Sequence, residues 1–151
     1  MTQASLPIAT VLHIRDQCLC LAAQRAARKL ARRFDRLFAP LGLTNGQFSM
    51  LVALSGQWQP RMGELAEFLA MDATTMTAAA KTLEKRGLLQ LMPDQTDARA
   101  RRPVLTETGG VLVAQGVPLW RAEHGKLHAE LAETHASTDP KALAQLLSQL
   151  G

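Results

Sequence analysis

Tyrosine is absent from the chain, and four phenylalanines and two tryptophans are its whole aromatic content. An interior with so few rings must be filled mainly by Leu, Ala, Val and Met, a composition that favours helices. Cysteine is nearly as scarce. Cys18 and Cys20 stand one residue apart, and on a helix such positions point about 200° away from each other, so an internal bridge is excluded and reduced thiols are expected. No stretch approaches the ~20 consecutive apolar residues of a membrane-crossing helix. Nor does the N-terminus carry a basic region followed by a long apolar core and a cleavage site, so a cytoplasmic protein is expected.

The marks of catalysis are missing as well. There is no Gly-rich phosphate loop, no Gly-x-Ser-x-Gly and no carboxylate pair in an apolar context. His13 with Cys18 or Cys20 has no visible orienting group, so neither an enzyme nor a bound cofactor is expected. At 151 residues the chain suits one domain, which would bury roughly 68–70% of its unfolded surface without staples.

Charge is uneven. The net charge is +4, but residues 1–103 hold 14 basic and 8 acidic groups whereas residues 104–151 hold 3 and 5. The basic part therefore has the balance of a polyanion binder, although a solvated cationic face accounts for any single cluster.

Periodicity divides the chain into helices. Residues 15–39 repeat Leu19, Ala23, Ala26, Leu30, Phe34, Leu37 and Phe38 at three- and four-residue steps, opposite Arg25, Arg28, Lys29, Arg32 and Arg36, until Pro40 and Gly42 end the pattern. Thr44 and Gln47 form a capping-box pattern for a helix whose Phe48, Leu51, Val52 and Ser55 turn inward, ending near Gly56. A strand of one or two residues is expected within Gln57–Pro60. Met62–Ala70 is a short helix, and Met71 alone separates it from Asp72, the cap of a helix running to Lys85 with Gly87 as its stop. In that helix Met76, Ala80 and Leu83 share the buried side, while Thr75, Ala78, Thr82 and Lys85 share the other, with Thr74, Thr77 and Lys81 at its edges.

The stretch from Leu88 to Thr106 changes period. An apolar run, Leu88 to Met92, and a Pro-Val-Leu-Thr run from Pro103 flank a turn-forming segment that carries Arg99, Arg101 and Arg102. This predicts a β-hairpin with three arginines offered to solvent at its tip, where guanidinium groups pair with phosphates and fit narrow minor grooves. Thr106 then caps a long helix containing Leu112, Leu119, Leu127 and Leu131, with Gly109, Gly110, Gly116 and Pro118 expected to weaken or bend its first half. A break at Ser137-Thr138-Asp139-Pro140 precedes a last helix carrying Leu143, Leu146, Leu147 and Leu150. Helix, turn, helix and basic hairpin in that order predict a mainly α fold with a small β-hairpin, a winged helix-turn-helix.

The spacing of Asp94, Asp97, Arg99, Leu105, Thr106 and Gly109 resembles the wing signature of the MarR family of transcriptional regulators. Glu64-Leu65-Ala66 and Leu83-Glu84-Lys85-Arg86-Gly87-Leu88 are similar to its helix-turn-helix, and Leu41-Gly42-Leu43-Thr44 with Gln47-Phe48 extends the likeness over roughly residues 15–150. The resemblance implies a single domain over 1–151, with a DNA-binding lobe at about 44–106 and dimerisation helices at about 8–39 and 107–151. A homodimer is also implied by apolar stripes on the terminal helices that exceed what one small lobe can cover. The partner implied is double-stranded DNA with a pseudo-palindromic site.

By the same resemblance, Thr74, Thr75, Thr77 and Lys81 face the major groove and Lys85 lies nearer the phosphates. Arg99 enters the minor groove, oriented by a carboxylate pair with Asp97, for which a turn-stabilising aspartate is the alternative and can coexist; Arg101 and Arg102 add affinity without sequence preference. The chain departs from the pattern at Ala78 and Thr96, where many relatives carry arginine. A small-molecule effector is implied, lodged between the lobe and the dimer helices near Cys20, Phe48, Leu51 and Trp120, so that a repressor is relieved by its ligand; core packing is the equal alternative for Phe48, Leu51 and Trp120. Cys20 stands at the reactive position of the organic-hydroperoxide-sensing branch, so a thiol-based peroxide-sensing regulator using Cys20 or Cys18 is an alternative function, but the tyrosines of that branch are missing and a buried small apolar cysteine is the expectation. His124 and His128 have the spacing of a shared metal pair, with solvent-facing histidines as the alternative, and no metal site is expected. A non-specific architectural DNA binder and a surface for a protein partner are the remaining alternative readings of the basic surface.

Overall fold

The computed structural model describes residues 6–97, 99–134 and 139–150. Seven α-helices and one hairpin occur among them. Helix α1 spans Ile8–Gln17 and α2 Leu19–Phe38, followed by a 3-10 turn at Ala39–Leu41. Then come α3 (Asn45–Ala53), α4 (Met62–Phe68), α5 (Ala73–Lys85), strands β1 (Leu89–Pro93) and β2 (Arg101–Leu105), α6 (Glu107–Thr134) and α7 (Pro140–Ser148). The strands pair antiparallel from Leu89 opposite Leu105 to Pro93 opposite Arg101.

The expected single helix over 15–39 is two. Cys18 adopts an extended backbone and its Sγ accepts the Leu21 N–H at 3.3 Å, so it caps α2 instead of continuing α1. The two cysteines therefore do not share one helical face. The capping box is present as read: Thr44 Oγ1 accepts the Gln47 N–H at 3.2 Å and Gln47 Oε1 accepts the Thr44 N–H at 3.1 Å. Asp72 Oδ1 likewise accepts the Thr75 N–H at 2.9 Å and opens α5.

Helix α4 stops earlier than expected, at Phe68, because Ala70 turns into the left-handed region (φ 51°) and the Met71 N–H reaches back to Ala66 C=O at 2.8 Å. This closure satisfies the helix-end carbonyl that α-helical bonding leaves free. The same i to i−5 closure ends α5, from Leu88 N–H to Leu83 C=O, with Gly87 at φ 69°. No strand forms at Gln57–Pro60; Gln59 C=O is engaged by the Arg102 guanidinium instead.

The core lies between α2, α3, α4, α5, the hairpin and the first half of α6. Met76, Ala80 and Leu83 are buried as expected, with Leu65 and Leu89 against them. Rings contribute more than composition suggests, since three of the four phenylalanines meet there, Phe38 stacking on Phe48 at 4.1 Å and Phe34 beside Phe38 at 6.2 Å. In α3 the inward positions are Phe48, Met50, Leu51 and Leu54, whereas Val52 and Ser55 are exposed. The helix is short, and its neighbours on both sides bury a wider arc than the pattern assigned.

Helix α6 runs unbroken through Gly109, Gly110, Gly116 and Pro118. Two of its glycines serve close packing, not bending. A Cβ at Gly109 would overlap the backbone oxygen of Leu88, and one at Gly116 would overlap the Phe48 ring. Gly109, Val113 and Gly116 form the buried line, while Leu112, Leu119, Leu127 and Leu131 are half-buried. Arg33 fastens α2 to α6, its Nε donating to Glu123 Oε1 at 2.5 Å and its Nη1 and Nη2 to both oxygens of Glu130 at 2.6 and 2.8 Å.

The outer helices carry the apolar surface that the lobe leaves uncovered. Ile8 is 72% exposed, Leu19 75% and Leu146 62%. Asp139 caps α7 through the Lys141 N–H and Pro140 sits in its first turn, while the expected break at Ser137 and Thr138 lies outside the described residues. No helix of the described residues is long and apolar enough to cross a membrane.

Gly109→Ala and Gly116→Ala are each expected to cost about 1–3 kcal/mol, the usual penalty for forcing atoms into a filled interior. Thermal unfolding followed by circular dichroism measures it. An unchanged midpoint for either variant contradicts the close approach of α6.

Candidate nucleic-acid interface

Helix α5 presents a face of small and cationic side chains because its apolar residues recur at Met76, Ala80 and Leu83, which leaves the remaining arc to solvent. Thr74, Thr77, Ala78 and Lys81 line one shallow groove on that face, with Lys85 one turn beyond and exposed. Thr75, Thr82 and Lys85 are exposed with them, as expected of the outward face. Three hydroxyls are already engaged: Thr75 Oγ1 donates to Asp72 Oδ2 at 2.5 Å, Thr77 Oγ1 to Ala73 C=O at 2.7 Å and Thr82 Oγ1 to Ala78 C=O at 2.9 Å. Each keeps acceptor capacity for an incoming donor.

The hairpin folds back over the same side. A cleft of about 600 Å³ joins Thr77 and Lys81 of α5 to Asp97, Arg99 and Arg101 of the wing, with Arg61, Met62 and Glu64 of α4 forming its end. The expected site residues from both elements therefore meet in one concavity. Thr74 and Lys85 stand outside it, and Thr75 belongs to the cap. Asp97 touches Arg99 through the backbone, its Oδ1 accepting the Arg99 N–H at 3.0 Å. Asp97 thus has the turn-stabilising role given as its alternative, and the expected side-chain pair is not formed.

The carboxylate that organises the wing is Asp94, whose side chain is 1% exposed. Its Oδ1 accepts the Thr96 N–H at 2.9 Å, the Thr96 hydroxyl at 2.7 Å and the Asp97 N–H at 2.9 Å. Arg61 donates from Nε at 3.1 Å and from Nη2 at 3.2 Å, and Arg102 donates from Nε to Oδ2. Arg61 also reaches Thr96 Oγ1 at 2.7 Å. Thr96 thus fills a structural role at a position where an arginine is common in the resemblance. Held first by the Thr96 hydroxyl and backbone, then by the two guanidiniums, the Asp94 carboxyl sits well below the usual aspartate range.

Arg102, expected at the solvent tip, is instead committed to Asp94 and to Gln59 C=O. The reason is the period of a strand. Arg101 and Arg102 are adjacent on β2 and must point to opposite faces, so only one of them can border the cleft. Sequence reading missed Arg61 and Asp94 as a pair because 33 positions separate them. The Asp94-Gln95-Thr96 order was the one local signal, since an aspartate that takes the N–H two residues on marks a turn.

A second cavity of about 630 Å³ lies on the other side of the lobe, bounded by Asn45, Phe48, Ser49 and Val52 of α3, Phe68 of α4, and Val117, Trp120 and Arg121 of α6. Phe48 and Trp120 meet there as expected. Cys20 does not line it. Cys20 is exposed near the start of α2, a helix that buries only its last turns at Phe34 and Phe38, and its Sγ accepts the Gln24 side-chain amide at 3.2 Å. The expectation of a buried cysteine fails at Cys20 for the same reason, and Cys18 is half-buried.

His124 is not solvent-facing. Its ring packs between Trp120 at 4.2 Å and Phe34 at 4.9 Å, with His128 5.9 Å away. Burial, and then the neighbouring His128 and Arg33, lower its pKa below the ordinary histidine value. Among the described residues no group of three His, Cys, Asp or Glu is placed to hold a metal ion.

Two short helices at a tight turn, the second laid beside a cationic hairpin, define a winged helix-turn-helix reading head of the transcription-regulator class. Comparison with known proteins agrees. The model of the MarR family matches residues 43–100. YybA of Bacillus subtilis (strain 168), an uncharacterized HTH-type transcriptional regulator, is 31% identical over 116 residues that cover 74% of each chain. The fold is similar to the Mycobacterium tuberculosis transcriptional regulator MosR in complex with DNA, with a TM-score of 0.73 and 35% identity over 89% of this chain and 93% of that one. It is also similar to the transcriptional repressor CouR bound to a 23-mer DNA duplex, with a TM-score of 0.75 and 25% identity over 97% and 99% of the two chains. The chain belongs to the MarR family of transcriptional regulators.

The Asp72 carboxyl is lowered first by the Thr75 hydroxyl and then by the Thr75 N–H. Its contribution to stability is therefore complete above the unfolded aspartate value of about 3.9. It is lost as pH falls through the lower folded value. Asp72→Ala is expected to lower the urea midpoint at neutral pH, and the gap from wild type to close on acidification below the aspartate range. A gap of constant size across that range contradicts the capping role.

Proposed function

We propose that the chain is a cytoplasmic, homodimeric, sequence-specific DNA-binding repressor released by a small-molecule effector, with no catalytic step. The observation that carries the reading is the single cleft in which Thr77 and Lys81 of the reading helix face Arg99 and Arg101 of the wing. A duplex laid along it would put α5 in the major groove and the wing tip over the adjoining minor groove. In this reading Thr74, Thr75, Thr77 and Lys81 meet base edges and phosphates, Lys85 a flanking phosphate, and Arg99, steadied by Asp97, the minor groove, with Arg101 on the backbone. Small side chains on α5 let the helix approach the bases closely.

The domain reading is one unit over 1–151, with the reading lobe at about 44–106 and dimer-forming helices on either side of it in sequence. The exposed apolar residues of α1, α2 and α7 support it, since a second copy would cover them and set two reading helices about 34–36 Å apart on a pseudo-palindrome. The effector would occupy the cavity lined by Phe48, Val52, Phe68 and Trp120, which joins the lobe to α6. A coupling of about 1–3 kcal/mol between the two sites is typical of such control.

Operators are obtained by selecting wild-type-bound duplexes from a random-sequence library, and affinity is read by fluorescence anisotropy. Arg99→Ala and Lys81→Ala are each expected to weaken operator binding by roughly 5- to 150-fold, as for contacts worth about 1–3 kcal/mol. Lys85→Ala is expected to weaken all sequences alike and to reduce the salt slope by about 1. Equal affinity of the wild type for selected and random duplexes would make it a non-specific binder and overturn the reading.

A further inference from the structure

We propose that Asp94 is a specificity-determining residue of the reading head: it binds Arg61 and Arg102 to one buried carboxylate and so withholds Arg61, a cation of the cleft, from DNA phosphates. The inference rests on the DNA reading above and adds a device to it. Four cationic side chains, Arg61, Lys81, Arg99 and Arg101, border the cleft between α5 and the wing. Arg61 alone among them forms an ion pair with Asp94. Arg102 enters the same carboxylate from the other side of the hairpin, where Gln59, Asp94 and Thr96 surround it.

Geometry makes the retention strong. Arg61 is 40% exposed and Arg102 31%, so both heads are near solvent, yet Asp94 beneath them is 1% exposed. A carboxylate this deep cannot turn to water when its partners leave, and stripping the guanidiniums from it would leave a buried, unpaired charge. The backbone N–H groups of Thr96 and Asp97 fix its position independently of the arginines.

The consequence for recognition follows from what phosphate contacts do. Each cation that neutralises a phosphate tightens binding to every sequence and steepens the salt dependence by about 0.9. It adds no base information. With Arg61 and Arg102 retained, the duplex is held by Lys81, Arg99, Arg101 and the α5 face, whose contacts include those that read bases. Asp94 thereby suppresses indiscriminate binding and simultaneously ties the wing to α4.

The test compares wild type, Asp94→Asn and the triple variant Arg61→Gln/Asp94→Asn/Arg102→Gln on the selected operator and on a random duplex across a salt series. Melting and circular dichroism confirm that each is folded. Asp94→Asn is expected to bind the random duplex more tightly, with a salt slope steeper by about 1, and to lose at least about tenfold in operator preference. The triple variant lacks the released cation and is expected to return the slope on random DNA to the wild-type value. An Asp94→Asn protein whose random-DNA slope is unchanged, or a triple variant that keeps the steep slope, overturns the proposal. A wild type with no operator preference overturns the DNA reading and this proposal with it, whereas a wild type that discriminates while Asp94→Asn discriminates equally overturns this proposal alone.

Discussion

The close approach of α6 to the hairpin and to α3 sets the geometry on which everything else in this chain rests. At Gly109 the α6 backbone lies against the Leu88 carbonyl, and at Gly116 it lies against the Phe48 ring. Thr106 joins the two levels, its hydroxyl donating to Gly87 C=O at 2.7 Å and accepting the Gly109 N–H at 3.0 Å. One residue therefore closes the hairpin, caps the long helix and touches the stop of the reading helix. Such contacts are short-range and tolerate little displacement, so a shift of α6 must move the wing or α3, or lose packing. The cavity between Phe48 and Trp120 spans the same helix pair. An effector seated there would press on the element that already locates the reading head.

Charge is used twice as a fastener. Arg33 binds Glu123 and Glu130 and lashes α2 to α6, and these two carboxyls sit below the usual glutamate range mainly because of that guanidinium. Asp94 does the same for the wing and α4. The two differ in surroundings: Glu130 is 57% exposed and solvent screens its pair, whereas the Asp94 carboxylate is buried and its pairs, with half-exposed guanidiniums, are screened less.

The outer helices have a different logic. Helix α1 buries none of its residues and α7 likewise none, and their exposed Ile and Leu side chains face outward. Apolar surface on this scale is costly to hydrate. The lobe is a filled core, whereas these helices leave their apolar residues uncovered. That division explains why α2 changes character along its length, from exposed Leu19 to buried Phe34 and Phe38.

By itself the sequence determined the local features: the caps at Thr44, Asp72 and Thr106, the stop at Gly87, the buried side of α5 and the change of period into a basic hairpin. Each is settled within a few residues, by a hydrogen bond to a nearby backbone group or by a repeat of two or 3.6. Tertiary structure alone decided which arginines are free and which are anchored, that Gly109 and Gly116 serve contact and not flexure, that His124 lies between two rings, and that Cys20 stays outside the cavity of Phe48 and Trp120. Those outcomes depend on partners between 4 and 90 positions away. The free energy of a buried charge or a close packing contact is fixed by what surrounds it in space, and composition and spacing along the chain do not carry that information.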